Sequence, residues 1–188
     1  MCSLIVIITI LFSSVNNFVV YQDTVWYTES GNAEFTSSVP LHTFTGTSSN
    51  LTGLLDFEEN VIDFYLDLQT IKTGNSRRDR DMYRTLDIDV YPFAEFTGRI
   101  TSQINPDSEI PQSVTVTGEF TVHGVTNQIE VEGLIYKEGS AYLLEADWVL
   151  LISDYEIEPP GILFYRVRDE IEVHISAEMQ PVEREALQ

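Results

Sequence analysis

The stretch Val114 to Thr126, VTVTGEFTVHGVT, decides the fold. Val114, Val116, Phe120 and Val122 alternate with Thr115, Thr117, Glu119 and Thr121, the period of a strand with one buried and one wet face. His123-Gly124 breaks the run with turn chemistry, and Ile129, Val131 and Ile135 then alternate with Glu130 and Glu132. Two half-buried strands joined by so short a turn are antiparallel neighbours.

The same period extends outward in both directions. Ile62, Phe64, Leu66 and Leu68 alternate with Asp63 and Asp67, while Ile171, Val173, Ile175 and Ala177 alternate with Glu170, Glu172, His174 and Ser176. Turn residues separate such runs at Glu59-Asn60, Glu138-Gly139-Ser140 and Pro159-Pro160-Gly161, and Asn105 to Pro111 reads as a loop. About eight strands fit, with little helix, which points to an all-β fold: a closed up-and-down barrel or a sandwich.

The 188 residues suffice for one domain with a real core. Residues 1–22 carry no charge, and Leu4 to Phe12 is a nine-residue apolar run. That length suits a secretory signal peptide over residues 1–22, with retention as a short anchor or a buried N-terminal strand as the alternative. The expected organisation is therefore a signal peptide, a barrel domain over residues 23–180, and a flexible polar tail over residues 181–188, in a periplasmic or secreted protein. Cys2 is the only cysteine. It precedes the apolar run, where a lipoprotein acylation site would follow it, and it leaves no partner for an intramolecular disulfide.

Thirty Asp and Glu against ten Lys and Arg leave a net charge of -20. Such a surface repels phosphate backbones and anionic headgroups, which argues against nucleic acid and against electrostatic docking on a membrane. Arg77, Arg78, Arg80 and Arg84 break this rule within a few residues. Asn75 can cap a short helix over Arg77 to Leu86 that places Asp79, Met82, Tyr83 and Leu86 on one face and Arg77, Arg80 and Arg84 on the other. Arg78 lies at the border. A lid over one barrel end is the simplest geometry, with the arginines either solvated and paired to Asp81 or clamping an anionic headgroup. Asp79, placed among apolar neighbours, needs a partner.

Three groups of residues, in order, resemble the YceI family of lipocalin-like barrels that bind polyisoprenoid lipids. They are Thr73-Gly74-Asn75 with Arg78-Asp79 and Tyr91-Pro92 to Phe96; Val116 to Thr126 with its HGVT turn; and Asp154-Tyr155 to Pro159. The resemblance spans about residues 24 to 178. It departs from many members at Asp81, where they carry a histidine, and at Leu86 to Asp89, which is less aromatic. It implies an eight-stranded antiparallel lipocalin-like barrel with a helical lid, and an isoprenoid or other long-chain lipid as partner.

In such a barrel the inward positions are Phe44, Phe64, Leu66, Phe96 and Ile100 in the first half, then Val116, Phe120, Val131, Leu144 and Trp148, and finally Ile171, Val173 and Ile175. Arg78, Asp79, Met82, Tyr83 and Leu86 form the lid and mouth. An eight-stranded barrel is just wide enough to be filled by side chains or to hold one small ligand, so ordinary core packing and ligand lining predict the same alternation. His42, His123 and His174 lack metal-ligand spacing, and no nucleophile or phosphate-cradling motif is present, so no enzyme activity, metal or cofactor is expected. His123 is expected to bond a backbone carbonyl. The reading is an exported, non-enzymatic lipid binder, against an envelope interaction or structural module with a filled barrel.

Overall fold

The computed structural model describes residues 24–39, 42–158 and 168–187. The expected signal peptide and the Pro159-Pro160-Gly161 turn lie outside the described residues. The strands are β1 (Thr24–Val39), β2 (His42–Asp56), β3 (Val61–Asp67), β4 (Phe93–Ile100), β5 (Gln112–Val122), β6 (Val125–Glu138), β7 (Ala141–Leu151) and β8 (Glu170–Glu183). Each pairs antiparallel with the next, and β8 returns to β1, with Val173 opposite Phe35 and Ile171 opposite Ser37. That last pairing closes the barrel and excludes the sandwich. A helix, α1 (Ser76–Thr85), interrupts the β3–β4 connection. No helix among the described residues is long and apolar enough to cross a membrane.

The opening stretch behaves as its pattern requires. Val122 pairs with Val125, leaving His123 and Gly124 as a two-residue loop with φ of 55° and 76°. Positive φ at both positions is the primed turn whose twist matches the flanking strands. A Cβ on Gly124 would stand 2.4 Å from the Tyr91 ring, so the position needs glycine for room as well as for φ.

β1 is less regular. Register shifts fall between Thr28 and Gly31 and between Gly31 and Ala33. The first has its extra residue in β1 and moves that strand's inward set from even to odd residues, so that Trp26 lies opposite buried Leu55 whereas Ala33 lies opposite Ile175; the second has its extra residue in β2, between Leu51 and Ser48. Extra residues of this kind tighten the local bend, which a small closed barrel needs.

In this topology the connections after β2, β4 and β6 share one end with both chain termini of the barrel. Aromatic rings plug it. Trp26, Phe57 and Tyr142 stack with centroids 5.2, 5.0 and 4.7 Å apart, over Leu55 and Met179, which are wholly buried. The Tyr142 hydroxyl donates to the Pro106 carbonyl at 2.6 Å and so holds the expected Asn105–Pro111 loop across the same end.

The polar tail expected from Pro181 is, as far as Arg184, part of this closure. β8 continues to Glu183, Pro181 lies opposite Trp26, and Arg184 donates to Asp56 at 2.6 Å. Asp56 is only 1% exposed and also accepts from the backbone N–H groups of Glu58 and Glu59. A buried carboxylate requires such partners, and this need anchors the end of the chain. Burial alone would raise its pKa; the Glu59 N–H, Arg184 and the Glu58 N–H outweigh that and hold the carboxyl below its ordinary value.

Candidate functional site

The opposite end gathers the connections after β1, β3, β5 and β7. β2 outruns β3 here, and the chain leaving β3 fills the gap: Thr47 and Lys72 exchange backbone hydrogen bonds at 3.0 and 2.9 Å, and the Ser48 and Thr70 hydroxyls meet at 2.7 Å. α1 follows. The Asn75 side chain accepts from the N–H groups of Arg77 and Arg78 at 3.0 and 3.2 Å, the N-cap expected from sequence.

Met82, Tyr83 and Leu86 pack against the core, and the Tyr83 hydroxyl donates to the Ile71 carbonyl at 2.7 Å. Arg77, Arg80 and Arg84 are exposed. Of the surface pairs to Asp81 expected for Arg77 and Arg84, that of Arg84 forms, at 3.3 Å. Asp79 is 9% exposed, and its partner is Thr73 rather than an arginine. The carboxylate accepts from the Thr73 N–H at 2.9 Å and from its hydroxyl at 2.6 Å. Burial pushes the Asp79 carboxyl up; the two Thr73 donors, with Lys72 and Arg78 nearby, reverse this and hold it below the ordinary carboxylate value.

Other elements complete this end. The His123 imidazole donates from Nδ1 to the Tyr155 carbonyl at 3.0 Å, the backbone bond expected of it, and its ring stands edge-on to Tyr91 at 5.6 Å. Asn127 donates to the Asp154 carbonyl at 2.8 Å. Tyr155, 2% exposed, stacks edge-on against Phe120 at 5.6 Å, and Phe120 against Trp148 at 6.0 Å. Residues far apart in the chain, Thr73, Asp79, Tyr91, His123 and Tyr155, thus converge on one barrel end.

Below them lies a cavity of about 130 Å³. Among the expected lining residues, Phe64, Leu66, Phe96, Val116, Phe120, Val131, Leu144, Trp148, Val173 and Ile175 surround it. Ile100 and Ile171 are buried core but stand nearer the strand ends, away from its wall. Phe44 is at the mouth instead: its ring carries the Arg78 guanidinium 4.4 Å from its centroid and meets Phe35 edge-on at 6.2 Å. Leu51, Ala33, Ala94, Ile129 and Ala146 line the cavity without having been expected to. Among the described residues the wall is almost wholly hydrocarbon, with Tyr65, Glu95 and Glu145 also bordering it, and it suits an apolar molecule held by area burial.

A family model described as the YceI-like domain matches residues 26–179. The chain belongs to the YceI-like family. The match runs from Trp26 in the aromatic plug through the lid to Met179 in β8, so the YceI-like domain takes in residues of both barrel ends. Among solved structures, the polyisoprenoid-binding domain from Saccharophagus degradans shares 14% identity with a TM-score of 0.70, over 85% of this chain and 98% of that one. BcnA of Burkholderia cenocepacia shares 15% identity with a TM-score of 0.66, over 79% and 95%. The Campylobacter jejuni YCEI protein shares 18% identity with a TM-score of 0.57, over 71% and 82%. At these identities the likeness establishes the shared barrel. No curated protein is significantly similar to the chain.

Proposed function

We propose that this YceI-like barrel is an exported, non-enzymatic carrier that encloses the apolar chain of an isoprenoid-like lipid. The observation that carries the reading is the hydrocarbon-lined cavity, plugged by aromatics at one end and covered by α1 at the other. Burial of an apolar chain there stabilises the complex by about 25 cal/mol per Å². The family match and the likeness to a polyisoprenoid-binding domain support the same ligand class. The uncharged N-terminal stretch supports export to the periplasm or beyond the cell.

The cavity volume favours one rival. About 130 Å³ is close to the roughly 150 Å³ that accommodates a single benzene. A barrel this full could act as an envelope interaction or structural module with no lipid. Organic extraction and mass spectrometry of the protein purified from its native source separate the two. Stoichiometric lipid supports the carrier; a clean extract, together with no uptake of a prenyl alcohol by the purified protein, rejects it.

A further inference from the structure

Two buried side-chain polar atoms among the described residues make no hydrogen bond: Ser37 Oγ and Trp148 Nε1. Both stand on inward positions of one wall. Trp148 on β7 lies opposite Val173 on β8, which lies opposite Phe35 on β1; Ser37, 1% exposed, is two residues further toward the lid. Orphaned buried donors are rare in folded proteins and destabilise them unless some partner completes them. Trp148 also borders the cavity.

We infer that the molecule held in this barrel carries an uncharged hydrogen-bond acceptor, a ketone, ester, amide or ether oxygen, that takes the Trp148 indole N–H on the β7–β8–β1 wall. The inference rests on the carrier reading. A prenyl chain of several units exceeds about 130 Å³, so its entry parts the packed side chains and uncovers the N–H. Pure hydrocarbon beside Trp148 leaves the donor orphaned; a neutral oxygen completes it. A phosphate does not belong there, because among the described residues no lysine or arginine borders the cavity and a buried unpaired anion is far costlier than a buried carbonyl. Ser37, able to donate or accept, offers a second partner nearer the lid.

The test uses the full chain, stripped of lipid, with geranylacetone and the hydrocarbon in which its carbonyl is replaced by methylene. The chain has two tryptophans, and the Trp26 indole already donates to the Ser140 carbonyl at 3.3 Å, so it serves as an internal control in ¹⁵N-labelled protein. The ketone should move the Trp148 indole N–H resonance downfield and leave Trp26 in place, while the hydrocarbon moves neither in that way. In Trp148→Phe the ratio of ketone to hydrocarbon dissociation constants should rise about tenfold, or 1.4 kcal/mol. If both probes bind with the same Trp148 response, or the ratio is unchanged in the variant, the acceptor inference is overturned and the carrier reading stands. If neither binds, the carrier reading falls and takes the inference with it. Should the variant not fold, the resonance of the unmodified protein decides.

Discussion

The Thr73 hydroxyl donates to the Asp79 carboxylate at 2.6 Å, and the Thr73 backbone N–H binds the same oxygen. One threonine thereby supplies both donors to a charge buried beneath α1. Replacing Thr73→Val keeps the shape and removes the hydroxyl, leaving the carboxylate short of a donor. The expected cost is about 1–3 kcal/mol in urea unfolding, against less than about 0.5 kcal/mol for Arg80→Ala on the exposed face. Equal effects of the two would mean that Thr73 does not hold the lid.

Asp79 and Asp56 share a pH signature. Both carboxyls are held below their ordinary value in the folded protein, whereas in the unfolded chain an aspartate titrates near pH 3.9. The unfolded state therefore binds protons first as pH falls. The stability these groups contribute is complete above about pH 5 and lost as pH drops through the folded-state values. Asp79→Asn should be less stable near pH 7 and should lose less on acidification, read as urea midpoints between pH 7 and pH 2.5. An unaltered acid slope in the variant would remove Asp79 from this account.

Arg184 should matter more than its place near the chain end suggests. Arg184→Ala removes the guanidinium from a carboxylate that keeps only its two backbone donors. Because Arg184 itself is partly exposed, the expected loss is about 1–3 kcal/mol. A truncation after Glu183 should reproduce it; a truncated chain with an unchanged unfolding midpoint would contradict the anchoring role.

Filling the cavity separates lining from decoration. Ala146→Phe introduces bulk at a small lining position, at an expected cost of about 1–3 kcal/mol from overpacking. Uptake of a prenyl alcohol, followed by native mass spectrometry, should fall at least about tenfold, while Arg77→Ala changes it less than about twofold if burial dominates. The reverse order would move recognition to the arginine face.

Most of the barrel was legible because a strand with one wet face writes its orientation into every second residue. The paired runs around His123-Gly124 and the helical face of Met82, Tyr83 and Leu86 both appear where the periods put them. Periodicity reports inward or outward but not height along the axis, which is why Phe44, Ile100 and Ile171 were grouped with residues of the cavity wall. It is also weighted by bulk, so the small inward side chains of Ala33, Ala94 and Ala146, which leave the space, gave no signal. One register shift exchanges even for odd residues partway along β1 and the other does so in β2, and no uniform period survives them. The partner of Asp79 was hidden for another reason: Thr73 reaches it through the turn preceding α1, not along the helix where pairs can be counted.

The stack of Trp26, Phe57 and Tyr142 gives the barrel a floor. On the proposed carrier function, a tube with a floor has one doorway, so loading and unloading compete for the same opening and cannot proceed in relay. Whatever part of a guest enters last must emerge first, and a second guest cannot push the first out ahead of it. Exchange between two membranes or two proteins would then be a sequence of separate visits through the end that α1 covers rather than flow through the molecule.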